Sequence, residues 1–147
     1  DALLDAGGAI TPASLYATAN AIVHDRPAAL AGLRSAFFSA AVAEEDFRMA
    51  VAESMKVPAA AAARLLVDHC TQDWRDVIRE VVPALGLPVL VFGGALGSIF
   101  PPQAAQWIAA QIPGSTLSIF GAEEGGSHFM FWENPERFNA ELRRFLG

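Results

Sequence analysis

The stretch 123–139, EEGGSHFMFWENPERFN, sets His128 behind Gly125, Gly126 and Ser127 and ahead of four apolar side chains. An imidazole titrates near neutral pH and accepts a proton from a nucleophile that lies within about 2.6–3.2 Å. A histidine on a turn hinged by two glycines is placed differently from one that rides a helix surface. Such a placement suits chemistry, although a loop histidine taken by itself more often faces solvent or braces its loop. His24 and His69 sit among ordinary helical residues and receive no role. Cys70 is the single cysteine, so no internal disulfide forms and the redox compartment is left open. No Cys/His cluster has zinc spacing, and no metal or organic cofactor is implied.

The elements that must position His128 lie at the end of the chain. PVLVFGG (88–94) is a short apolar run bounded by proline and glycine, which reads as a strand buried on both faces. PPQAAQWIAAQIPG (101–114) has proline near its start and glycine past its end, the punctuation of a helix. STLSIFG (115–121) reads as a second strand. NPERFNAELRRFLG (134–147) closes as a helix with Phe138, Leu142, Phe145 and Leu146 inward. The order β-α-β-α implies a parallel pair.

Residues 1–82 read as helical. Thr11-Pro12 is an N-cap with proline at the first helical position. Leu15, Tyr16, Ala19, Ile22 and Val23 follow at helical spacing. Pro27 opens a helix carrying Leu30, Leu33, Phe37 and Phe38. Phe47, Val51 and Met55 mark a third, and Pro58 begins an alanine-rich fourth. Thr71 or Asp73 caps DWRDVIREVV, where Trp74, Val77, Ile78 and Val81 share a face. The division is therefore 1–82, a cap-like helical region, and 83–147, a β-α-β-α unit. The fold class is α/β.

Bulk properties narrow the partners. The chain of 147 residues fits one domain and buries roughly 68–70% of its unfolded surface. The net charge is −6 and Lys56 is the only lysine, so nucleic acid is not an expected partner. Charged or chain-breaking residues interrupt every apolar run before about 18 residues, so no membrane span is expected. DALLDAGGAITP lacks the positive n-region of a signal peptide, which favours a cytoplasmic location.

From DWRDVI through GLPVLVFGG, SIFPPQAAQWIAAQIPGSTLSIF and GGSHFMFWENPERFN, the chain resembles the C-terminal part of the α/β-hydrolase fold. It is closest in flavour to small ester and lactone hydrolases related to haloperoxidases. The resemblance implies that 88–94 and 115–121 are the last two strands and that 11–70 is the inserted cap. It also implies that His128, ahead of ENPERF, is the base of a Ser-His-acid mechanism. Phe129, Met130 and Trp132 are then candidates for lining an acyl pocket, with Phe131 beside them.

Two parts of that mechanism are missing. The nucleophile should lie in G-x-S-x-G, and none of the eight serines has that frame. By the resemblance, the nucleophile and the oxyanion donors belong upstream of Asp1. The family's aspartate position falls on Gly97, in a loop (Ala95-Leu96-Gly97-Ser98) without a carboxylate. Asp1 is the candidate acid, with Asp5 second. Glu123 and Glu124 read as a solvated turn. The chain alone is expected to be inactive, its parent reaction being hydrolysis of a small acyl ester or lactone. The alternative is a non-catalytic binding or assembly module derived from the same fold. Two parallel strands are too few for an independent sheet. A homodimer, or association with a chain that supplies the missing strands, is therefore expected.

Overall fold

Proline and short polar side chains start the first helix as the sequence indicates. The computed structural model describes residues 11–32, 34–96 and 99–147. Helix α1, Pro12–His24, begins at a reciprocal cap: the Ser14 amide donates to Thr11 Oγ1 (3.1 Å) and the Thr11 amide donates to Ser14 Oγ (2.8 Å). Its buried face is Leu15, Ala19 and Ile22. Tyr16 and Val23, expected on that stripe, are exposed. They lie about 100° round the helix from Leu15 and Ile22, along an open groove beside the packed helix. α1 packs on α5, Ala59–Thr71, through Ala63 with Leu66 and Val67. Small residues on both sides permit that close approach.

Between them lie α2, Arg26–Gly32, α3, Arg34–Phe37, and α4, Glu44–Met55. Three acids, Glu44, Glu45 and Asp46, occupy the first turn of α4 and complement its dipole. The other end of α4 is closed by Arg26. This buried guanidinium donates to the Ser54 and Val57 carbonyls at the end of the helix, where carbonyls run short of amide donors.

Asp73 caps as expected: its carboxylate accepts from the Arg75 amide (3.0 Å) and pairs with the Arg75 side chain. That guanidinium holds the Asp73 carboxyl well below the usual carboxylate range. The following segment departs from expectation. Val77–Val81 winds as a π-helix before α6, Val82–Ala84. The wider turn breaks the shared face read from Trp74, Val77, Ile78 and Val81, and Trp74 and Val81 end up exposed.

Strands β1, Leu90–Gly94, and β2, Thr116–Phe120, pair in parallel with Leu90 opposite Thr116 and Gly94 opposite Phe120. Both are shorter than the apolar runs that signalled them. Helix α7, Pro102–Gln111, connects them and covers one face. Its Ala105 and the Ile119 side chain lie so near Gly93 that a Cβ there would stand 2.7 Å from each. The opposite face carries Phe92, Ser118 and Phe120, and receives α9, Pro135–Leu146. The Phe92 and Phe138 ring centroids are 4.5 Å apart. Arg137 is the anchor of that packing. Its guanidinium lies over the Phe120 ring at 4.1 Å, donates to the Ile119 carbonyl (3.0 Å) and pairs with Glu124 and Glu141. The Ser118 hydroxyl, then Arg137, hold the Glu141 carboxyl below its ordinary value. Leu146, expected inward, is exposed in the last turn of α9.

The architecture is α/β: a mostly helical first half, then two parallel strands flanked by helices. Among the described residues no helix is long and apolar enough to cross a membrane.

Candidate functional site

The histidine turn begins where β2 ends. Phe120 is fully buried, and the 3-10 turn Ala122–Glu124 follows Gly121. The Glu124 carboxylate folds back to accept from the Gly121 amide (2.8 Å). That bond, with Arg137 adding to it, lowers the affinity of Glu124 for a proton. Glu123 and Glu124 are exposed, as a solvated turn should be. Gly125 adopts φ +73°, a conformation that favours glycine. Gly126 and Ser127 are buried, and His128 comes next in an open turn.

This turn lies beside the carboxyl end of β1 as well as that of β2, the position expected for His128. The Ala95 amide donates to the Phe120 carbonyl (2.8 Å), and the Leu96 amide donates to the Gly126 carbonyl (3.0 Å). A Cβ at Gly94 would stand 2.7 Å from the Ser127 carbonyl oxygen and closer still to that of Gly126. A Cβ at Gly126 would stand 2.6 Å from the Gly121 carbonyl oxygen and closer still to that of Phe120. Of the two glycines expected to act as hinges, Gly125 supplies a left-handed turn, while Gly126, with Gly94 of β1, allows backbones to touch. At Gly94 and Gly126 the role is close approach.

The His128 ring is half-buried among Phe37, Phe100 and Phe129, with centroid separations of 5.5, 5.5 and 5.3 Å. Burial, and after it the charge of His69, push the imidazole below its ordinary pKa. The neutral, proton-accepting form is thereby favoured near pH 7. Among the described residues no carboxylate hydrogen-bonds the ring. Asp1 and Asp5, and the Gly97 position where an aspartate would stand, lie outside the described residues.

A cavity of about 890 Å³ opens beside the imidazole, lined in part by His69, Cys70, Gly94, Phe100, His128 and Met130. Of the three expected pocket residues only Met130 lines it. Phe131 lines it too, while Phe129 and Trp132 do not. The cause is local: Met130–Glu133 forms a turn of helix, α8, where the sequence reads as an apolar run. Successive side chains rotate by about 100°. Phe129 and Trp132 consequently pack on Phe38, at 4.9 and 6.2 Å between centroids. His69 was given no role, yet it shares the cavity with His128. Its position at the last turn of α5 carries no motif, and only the tertiary packing brings it there. Burial also raises the Cys70 thiol pKa. Among the described residues no group of three or more His, Cys, Asp or Glu is gathered to hold a metal.

A histidine at the carboxyl ends of two parallel strands, beside a mainly apolar cavity, is the arrangement expected from the resemblance to the α/β-hydrolase fold. The chain carries part of that fold, as its likeness to known proteins shows. It is 31% identical over 129 residues to a putative non-heme chloroperoxidase of Synechocystis sp. (strain ATCC 27184 / PCC 6803 / Kazusa), covering 86% of this chain and 45% of that protein. Among solved structures, it is similar to a bromoperoxidase from Bacillus anthracis, with TM-score 0.82 and 19% identity, covering 95% of this chain and 50% of that one. It is also similar to an esterase from Exiguobacterium antarcticum, with TM-score 0.79 and 22% identity, covering 92% and 48%. A third similar structure is Est816, described as an N-acyl homoserine lactone degrading enzyme, with TM-score 0.62 and 22% identity, covering 92% and 52%. The chain thus spans about half the length of these proteins. No family profile matches it.

Proposed function

We propose that His128 is the general base of a Ser-His-acid acyl transfer to water, with an ester or lactone as substrate. The observation that carries this reading is the placement of His128, half-buried against three aromatic rings, on a turn packed against the ends of both strands and facing a cavity. The hydrolase fold shared with an esterase, a bromoperoxidase and a lactone-degrading enzyme supports it. The base takes the proton from the serine hydroxyl as the oxygen attacks the acyl carbon. It returns that proton to the leaving alkoxide. The chain has no G-x-S-x-G, so the nucleophile and the oxyanion donors come from polypeptide beyond these 147 residues. An acid that orients the imidazole comes from there or from Asp1. The helices over the site act as the cap, and Met130 with Phe131 meets the acyl group. A non-catalytic module is the second reading, favoured by the lack of a described carboxylate on the imidazole.

The isolated 147-residue protein and its His128→Ala variant are expected to turn over p-nitrophenyl acetate equally, and a fluorophosphonate probe should label neither. In the native gene product that contains these residues, His128→Ala should lower ester turnover by at least about 1,000-fold. Stoichiometric labelling of one serine within the 147 residues would refute the external nucleophile. Undiminished turnover by the native variant would refute the base.

A further inference from the structure

Ser127 is 2% exposed, and its hydroxyl would be an expensive group to bury without partners. It has two. It donates to Glu133 Oε1 (2.6 Å) and accepts from the Phe129 amide (3.1 Å), so it brackets His128 on both sides. The same Glu133 oxygen accepts from the Ser39 amide (2.8 Å), 94 residues away in sequence. The Phe129 amide is shared with the Phe37 carbonyl (3.1 Å). Phe37 in turn supplies one wall of the imidazole's aromatic surroundings. One carboxylate oxygen thus joins three pieces: the segment after α3, the two residues flanking His128, and α8. A carboxylate suits the task because one anionic oxygen accepts two donors strongly.

We infer that Glu133 is a positioning residue for His128, holding the histidine turn through Ser127 and fastening that turn to the Phe37–Ser39 segment. Its functional meaning rests on the reading of His128 as a base, but the geometry does not. Glu133 makes no contact with the imidazole that would supply a charge to it, so its action is mechanical. Loss of the carboxylate frees the Ser39 amide and lets Ser127 turn away. The His128 ring then leaves its place between Phe37, Phe100 and Phe129.

The test is NMR of the folded chain, following His128 Hε1 and Hδ2 and the exchange of the Ser39 and Phe129 amides. Glu133→Ala should move both ring protons towards unstructured values and raise the His128 titration midpoint towards the ordinary imidazole value as water reaches the ring. Exchange of the Ser39 amide should quicken by about tenfold or more, as loss of a charge-assisted hydrogen bond requires, and that of Phe129, whose acceptor Ser127 Oγ is released, should quicken less. Glu133→Gln keeps an acceptor oxygen in place and should restore most of the wild-type signals. Ser127→Ala should move the His128 signals while the Ser39 amide stays protected, and it decides the matter if Glu133→Ala does not fold. Ile22→Val, between α1 and α5, is the control: it should lower the melting temperature and leave His128 unmoved. Unchanged His128 signals in Glu133→Ala or Ser127→Ala would overturn the inference. So would a Glu133→Gln protein as perturbed as Glu133→Ala, or equal movement in Ile22→Val. Hydrolysis does not enter the readout, so failure of the base reading is a separate result.

Discussion

Gly94→Ala is the sharpest probe of how the histidine turn is built. The added methyl would stand 2.7 Å from the Ser127 carbonyl oxygen and 2.8 Å from the Gly126 carbonyl carbon, and closer to the Gly126 oxygen. All three atoms are backbone, so no side-chain rotation relieves the clash. The turn must move away from β1, which strains or breaks the Leu96–Gly126 hydrogen bond of 3.0 Å. Overpacking of this kind costs about 1–3 kcal/mol and the lost bond about 1 more. At roughly 3 °C per kcal/mol for this chain length, the melting temperature should fall by about 6–12 °C. Circular dichroism melts give the number. Hydrogen exchange should show the Leu96 amide losing protection before those of β2. Gly32→Ala is the matched control, because a Cβ there meets nothing within 4 Å, and its melting temperature should hold or rise slightly. A Gly94→Ala protein that melts within 1 °C of wild type would refute the close-approach argument.

Two further outcomes follow from the site and the sheet. The unfolded His128 takes its proton near pH 6.5 and the folded one at lower pH, so between those values the unfolded state holds more protons. Stability should therefore fall as pH drops through that window, and His128→Gln should flatten the slope in urea melts from pH 5 to 8. His69→Gln separates the neighbour's contribution, and an unchanged slope in His128→Gln would contradict the burial argument. We also propose that the outer edges of β1 and β2, which pair with no further strand among the described residues, drive association, either of two copies or with a chain supplying further strands. Light scattering at micromolar concentration should then show a mass above 15.6 kDa, and a monodisperse, cooperatively folding monomer would count against it.

What could be read from sequence followed the strength of local signals. Thr11-Pro12 and Asn134-Pro135 set helix starts because capping is a short-range matter. PVLVFGG and STLSIF announced strands, and their order made the parallel pair. His128 was found because the turn after the last strand is marked by glycines and by ENPERF. The pocket side chains were not legible: FMFW has no period that distinguishes an extended run from one turn of helix, and that single turn reassigns Phe129 and Trp132. The π-helix at Val77–Val81 was invisible for a similar reason, since one extra residue per turn leaves no mark in composition. Ser127, which looked like a spacer between glycine and histidine, and Glu133, which looked like part of a motif, are joined by a bond that only the folded chain creates. His69 reaches the cavity through the packing of α5, a long-range fact.

The backbone contact between Gly94, Gly126 and Phe120 bears on when the ordering cost of the site is met. Glycines lose more conformational freedom on folding than other residues. A turn built from them is costly to fix, and here close packing and hydrogen bonds fix it. The loss of entropy is thereby taken at folding. On the proposed reading of His128 as a base, the turn is preorganised, and a substrate that arrives need not freeze it before a proton can move.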